Sequence, residues 1–168
     1  MDSQELKQKL EAYLAENFFE VEEEHFAAEA PRACISVARY RLAQKIDFNK
    51  IFEKNKGETF SEMMTRLVDE SGEKNSAVYN RAQIDRQLFS RIKKNKDYQP
   101  SKDTAVALAI ALRLDITKAK DFLASAGYAL TKSKRDLIIS FFIENKIFDT
   151  SLLNDYLYEY NQPVLLSR

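Results

Sequence analysis

Of the 168 residues only three are glycine and three proline, and there is no tryptophan. So few breakers leave little room for long irregular connections, and helices are expected to dominate. The single cysteine, Cys34, excludes an internal disulfide and any multi-cysteine metal site, which fits a reducing, cytoplasmic setting. The single histidine, His25, follows Glu22, Glu23 and Glu24; a metal needs several ligands in fixed geometry, and these glutamates read as a solvated face. No apolar run reaches the length of a membrane span, and the acidic start lacks the basic opening and apolar stretch of a secretory signal. Cys34 has no histidine in a usable pattern, no Ser/His/Asp set assembles, and no glycine-rich phosphate loop is present. A non-enzymatic chain without metal or cofactor is expected.

Net charge is zero, yet its distribution is uneven. Residues 1–31 carry nine acids against Lys7 and Lys9, a net of −7. Residues 81–102 carry seven bases against Asp85 and Asp97, a net of +5. Nucleic-acid affinity follows local cationic density, not the whole-chain sum. The plainer reading is that any helical surface needs charge.

The chain divides by pattern into residues 1–57, 58–130 and 131–168. In the first part Leu6, Leu10, Tyr13 and Leu14 recur at helical spacing, with Asp2 and Glu5 placed as a cap. Residues 18–46 show no clear period; 33–42 suit either a short strand or an extended linker, and 47–54 a short helix burying Phe48, Ile51 and Phe52. This acidic arm is a candidate for ordering on a partner, or for covering the basic segment. In the second part Thr59 and Glu62 form a capping box before Phe60, Met63, Met64, Leu67 and Val68, and Gly72 closes that helix. Asn75 or Ser76 caps a short helix burying Val78, Tyr79 and Ala82. Asp85 caps the next, which buries Phe89 and Ile92 and collects Lys93, Lys94 and Lys96 toward its end. Residues 101–114 are apolar on several faces and form the expected central helix. Asp115 or Thr117 caps a fifth helix that ends at Gly127. In the third part Leu137, Ile138, Phe141, Phe142 and Ile147 predict one amphipathic helix, and Leu152, Leu153, Tyr156, Leu157 and Tyr160 a second, started by Asp149. Its aromatic density exceeds what a short hairpin hides alone, so it either folds back onto the core or forms a homodimer interface; from Pro163 the tail offers a docking segment.

The series Ala82, Ile84, Phe89-Ser90-Arg91-Ile92, Pro100-Ser101, Leu108-Ala109, Ala111-Leu112 resembles the lambda-repressor-like helix-turn-helix domain over Thr59 to about Ala126. More widely, Thr59-Phe60-Ser61-Glu62-Met63 and the ending Asn161-Gln162-Pro163-Val164-Leu165-Leu166 are similar to bacterial helix-turn-helix proteins found beside phage-defence or signalling genes. The resemblance implies an all-α fold: a five-helix core, an N-terminal helical or extended arm and a C-terminal helical hairpin. It also implies a dimeric transcriptional regulator bound to double-stranded DNA, with the helix from Asp85 in the major groove. Arg86 and Gln87 would then read guanine and adenine edges, and Ser90, Arg91, Lys93, Lys94 and Lys96 would divide between bases and phosphates.

Three residues depart from that pattern. Gln83 stands where relatives place glycine, at a cost of roughly 1 kcal/mol if left-handed. Asp85 brings a carboxylate toward phosphates unless it accepts backbone N–H groups or a cytosine amine. Leu88 replaces a small polar residue and suits either a thymine methyl or a protein surface. The alternative expectation is therefore a non-enzymatic protein-interaction adaptor that keeps the fold without sequence-specific DNA binding.

Overall fold

The structure is a computed structural model and describes residues 3–17 and 57–165. Contacts divide the chain into two compact units, one of residues 1–19 with 58–168 and one of residues 20–57. The expectations for residues 18–46 and 47–54, with His25 and Cys34, lie outside the described residues.

Every regular element among the described residues is a helix. In chain order they are α1 (Ser3–Asn17), α2 (Phe60–Ser71), α3 (Asn75–Arg81), α4 (Arg86–Lys94), α5 (Lys102–Ala111), α6 (Ile116–Ser125), α7 (Lys134–Glu144) and α8 (Thr150–Glu159). The all-α expectation holds for these residues.

Side chains placed one residue ahead of the helices start most of them. Thr59 and Glu62 close a full capping box on α2: Glu62 N–H donates to the Thr59 hydroxyl (3.3 Å) and Thr59 N–H to the Glu62 carboxylate (3.2 Å). The Ser101 hydroxyl accepts from Thr104 N–H, and the Asp115 carboxylate from Lys118 N–H; Asp115, not Thr117, is the cap of α6. Ser133 and Asp149 serve α7 and α8 in the same way. Helix α3 differs. Its cap position is Lys74, with no side-chain bond, so Asn75 and Ser76 lie inside the helix rather than capping it.

Helix α5 is shorter than the apolar run 101–114 suggests. The chain turns left-handed at Arg113 (φ 54°), and Leu114 N–H closes back on Ala109 C=O at 3.1 Å. Leu114 then stays buried as the plug of the turn instead of extending the helix. What remains, Thr104 to Ala111, is buried on every side, as a central helix of alanines and branched aliphatics must be. It packs against α3, α6 and α8, while α2 lies across α4 and α6, with the Phe60 and Phe122 rings tilted against each other, centroids 4.6 Å apart.

The C-terminal hairpin folds back and enlarges the core. Helix α7 is not amphipathic: everything from Asp136 to Ile143 is buried, because α1, α6 and α8 enclose it. Phe142 meets Tyr156 edge-on at 5.5 Å, and Tyr13 of α1 meets Phe141 at 5.3 Å. Burial and the nearby Glu144 carboxylate push the Tyr13 hydroxyl up to about 12. Each such aromatic contributes roughly 1.5–3 kcal/mol of burial, an upper figure for a chain already partly collapsed when unfolded.

Polar anchors fix the register of this hairpin. Lys102 of α5 donates to Asp136 of α7 at 2.7 Å, and Arg135 of α7 donates to Asp103 of α5 at 2.7 Å, a reciprocal pair of bridges. Asp136 is only 2% exposed and also accepts from the N–H and hydroxyl of Thr131. Burial alone would raise its carboxyl, but the Lys102 ammonium and the two Thr131 donors outweigh it and hold it below the usual range. The tail is tied down as well: Pro163 C=O accepts from Arg135, Leu165 N–H donates to Asn154, and Leu165 is buried.

Candidate functional site

The local sequence around α4 sets one side of it inward and leaves the other bare. The carbonyls of Asn80, Tyr79 and Val78 that end α3 accept from the N–H groups of Gln83, Ile84 and Ala82 at 2.9–3.1 Å. Gln83 is left-handed (φ 57°), as its place in the turn requires of any residue there. Ile84 is the buried plug. Asp85 then caps α4, its carboxylate accepting Leu88 N–H at 2.7 Å. One oxygen of this exposed carboxylate is thus engaged by backbone, and the group sits favourably at the positive end of the helix.

The turn has two distant props from the start of α8. Thr150 donates its hydroxyl hydrogen to Arg81 C=O (3.0 Å), and the Gln83 amide donates to the Ser151 hydroxyl (2.6 Å). Arg81 itself is paired with Glu73. On the far side, the buried Ser61 hydroxyl of α2 donates to Ile92 C=O at 2.6 Å, taking up a carbonyl near the C-terminal end of α4. Phe89 and Ile92 fill the core, and Tyr79 packs on Phe89 at 5.7 Å.

The outward side carries Arg86, Gln87, Ser90, Arg91 and Lys94, spaced i, i+1, i+4, i+5 and i+8, which is one helical stripe. Together they line a shallow open depression on the surface. No acid interrupts the stripe, and Arg86, Arg91 and Lys94 have no ion-pair partner among the described residues. Arg86 and Gln87 occupy the first turn. Leu88 is half-buried and packs against the core, so it does not form an apolar patch of its own.

The structure divides the seven sequence-expected site residues in two. Five share the outward stripe. Lys93 and Lys96 turn toward α2: Lys93, with only 22% of its side chain exposed, lies 3.6 Å from Asp69, and Lys96 lies 3.1 Å from Glu62. They line a separate groove with Ser61, Thr65, Arg66 and Glu70. Glu62 is held below the usual carboxylate range, first by the N–H of Thr59 and then by Lys96. Sequence reasoning missed Ser61, Thr150 and Ser151. Their partners stand 31 to 69 residues away, and no local pattern signals such a pairing.

Comparison with protein-family models, with curated proteins and with solved structures found no match.

Proposed function

We propose that the chain is a DNA-binding protein of helix-turn-helix type, a transcriptional regulator that reads the major groove with α4. The observation that supports this reading is the outward stripe: two arginines, a lysine, a glutamine and a serine on one rigidly held face, with no acid among them. Arginine matches the two acceptors of guanine and glutamine the donor–acceptor edge of adenine, while the lysine neutralises phosphate. Rigid placement matters because a base-edge contact is lost by an ångström of play. The occupied Asp85 carboxylate removes one objection to the duplex, and the half-buried Leu88 removes a motive for a protein partner at this helix.

Selection on random duplexes at low salt tests the proposal. A short enriched sequence is expected, and Arg86→Ala should relax preference at one base pair while leaving the rest of the site intact. Absence of any enriched sequence sinks it. A palindromic consensus would report two copies bound at once, the homodimer that two half-sites demand. The adaptor reading is favoured by one observation, Tyr158, a large side chain 78% exposed on α8. A stoichiometric protein partner recovered together with a failed duplex selection would replace the first reading by this one.

A further inference from the structure

We infer that Glu62 and Asp69 of α2 act as an electrostatic fence, withholding Lys93 and Lys96 from nucleic acid and confining contact to the outward stripe of α4. This rests on the DNA-binding reading. Along α2 the exposed or half-exposed charges are Glu62, Arg66, Asp69 and Glu70, preceded by Glu58. Arg66 is committed to Glu58 (2.7 Å) and Glu70 (3.0 Å), so this helix offers no free cation to a duplex. Its two remaining carboxylates pair with the two lysines that stand off the stripe, Asp69 with the largely covered Lys93 and Glu62 with Lys96, whose side chain is still 75% exposed.

The geometry makes the arrangement more than a chance surface pair. Glu62 is not free to swing, because its carboxylate also accepts the N–H of Thr59 in the capping box. Its charge is therefore fixed beside Lys96. Asp69 lies in the last turn of α2, where a carboxylate opposes the helix dipole and costs stability, and Lys93 is the cation it pairs with. The Ser61–Ile92 hydrogen bond holds α2 against α4, so the carboxylates stay beside the basic helix instead of drifting away. A phosphate backbone approaching from this flank meets carboxylates that repel it, whereas one approaching Arg86, Arg91 and Lys94 meets three cations, with no carboxylate on the helix beyond its cap Asp85. The fence thus lowers affinity that carries no sequence information and leaves the base-reading residues unchanged.

The test uses the full chain and a random-sequence duplex titrated across salt. Glu62→Gln keeps the capping box, which glutamine also completes, and Asp69→Asn removes an unfavourable dipole contact, so both variants are expected to fold. Freeing two lysines should steepen the salt dependence by about 0.9 per added phosphate contact, so that the affinity lost between about 50 and 200 mM salt grows about tenfold. Lys94→Ala should move the slope the other way by about one unit. A control of equal charge, Asp121→Asn with Asp155→Asn on exposed sites of α6 and α8, should leave the slope near that of the wild type. If Lys94→Ala flattens the slope but the Glu62/Asp69 variant matches the wild type or the control, the fence is refuted and the DNA-binding reading stands. Binding gained by the Glu62/Asp69 variant where the wild type shows none would support the fence strongly. If neither chain binds duplex at low salt, both proposals fall.

Discussion

Two helix pairs in this molecule, α3–α4 and α5–α6, are joined by the same turn and present opposite kinds of surface. In each, a left-handed residue (Gln83, Arg113) precedes a buried aliphatic (Ile84, Leu114) and an aspartate cap (Asp85, Asp115). The closing bonds nearly coincide: Gln83 N–H to Asn80 C=O at 3.1 Å and Arg113 N–H to Ile110 C=O at 3.0 Å, then Leu88 and Lys118 N–H groups to the caps at 2.7 and 2.9 Å. Yet α6 exposes Thr117, Lys118, Lys120, Asp121 and Ala124, a mixed surface, while α4 exposes Arg86, Gln87, Arg91 and Lys94 without an acid. The turn is a folding device that satisfies the end of one helix and the start of the next. What distinguishes the two surfaces is instead the set of side chains that the second helix turns outward.

The largest effect expected is on duplex affinity. Replacing Arg86, Arg91 and Lys94 together with alanine should lower it about a thousandfold at low salt, taking about 1.4 kcal/mol for each contact. The matching α6 variant, Thr117, Lys118 and Lys120 to alanine, should stay within about threefold of wild type. Fluorescence anisotropy on a labelled duplex reads both, and equal losses would erase the distinction between the two helices.

The pairs also differ in how they are anchored to the hairpin, and here the expected effect is on stability. The α5–α6 pair is tied through the buried Asp136, so Asp136→Asn should cost about 2–3 kcal/mol in urea unfolding, somewhat under a fully buried pair because Lys102 keeps partial access to water. The sign with pH comes from the lowered carboxyl. Its contribution is fully present above the ordinary aspartate value of about 4 and is lost as pH falls toward the lower native one. Wild type should therefore lose stability on the acid side more steeply than Asp136→Asn.

The smallest effect concerns the turn residues themselves. Arg113→Gly relieves the strain of a left-handed side chain and should stabilise the protein by about 0.5–1 kcal/mol. Gln83→Gly relieves the same strain but forfeits the bond to Ser151, so its net change should be near zero. Thermal unfolding of the two variants compares them directly.

Much of the helical unit was legible because its signals are local. Thr59 with Glu62, Gly72, Asp85 and Gly127 each sit within one turn of the helix end they govern, and each plays the part its side chain suggests. The end of α5 was not legible: Leu112 and Leu114 continue an apolar run, and Arg113 gives no glycine-like sign of a left-handed turn. Helix α7 is expected to be one-sided from the spacing of Leu137, Ile138, Phe141 and Phe142, yet Asp136 and Ser140 are buried too, by elements distant in the chain. At the candidate site, the resemblance names the five stripe residues, and helical spacing puts them on one face. That Lys93 and Lys96 leave the stripe depends on where α2 docks, which no spacing within α4 encodes.

The two props from α8 bear on when the outward face comes into being. Thr150 and Ser151 reach the α3–α4 turn across 69 and 68 residues of chain. All helix-forming signals for α3 and α4 and the closing bonds of their turn are complete by Asn95, but the two bonds from α8 wait for that helix to dock. Closing so long a loop is slow compared with forming either helix. On the ribosome the α3–α4 turn would lack these two bonds until the hairpin emerges, and because helices of seven and nine residues are marginal alone, the outward stripe is among the last faces of the protein to be fixed.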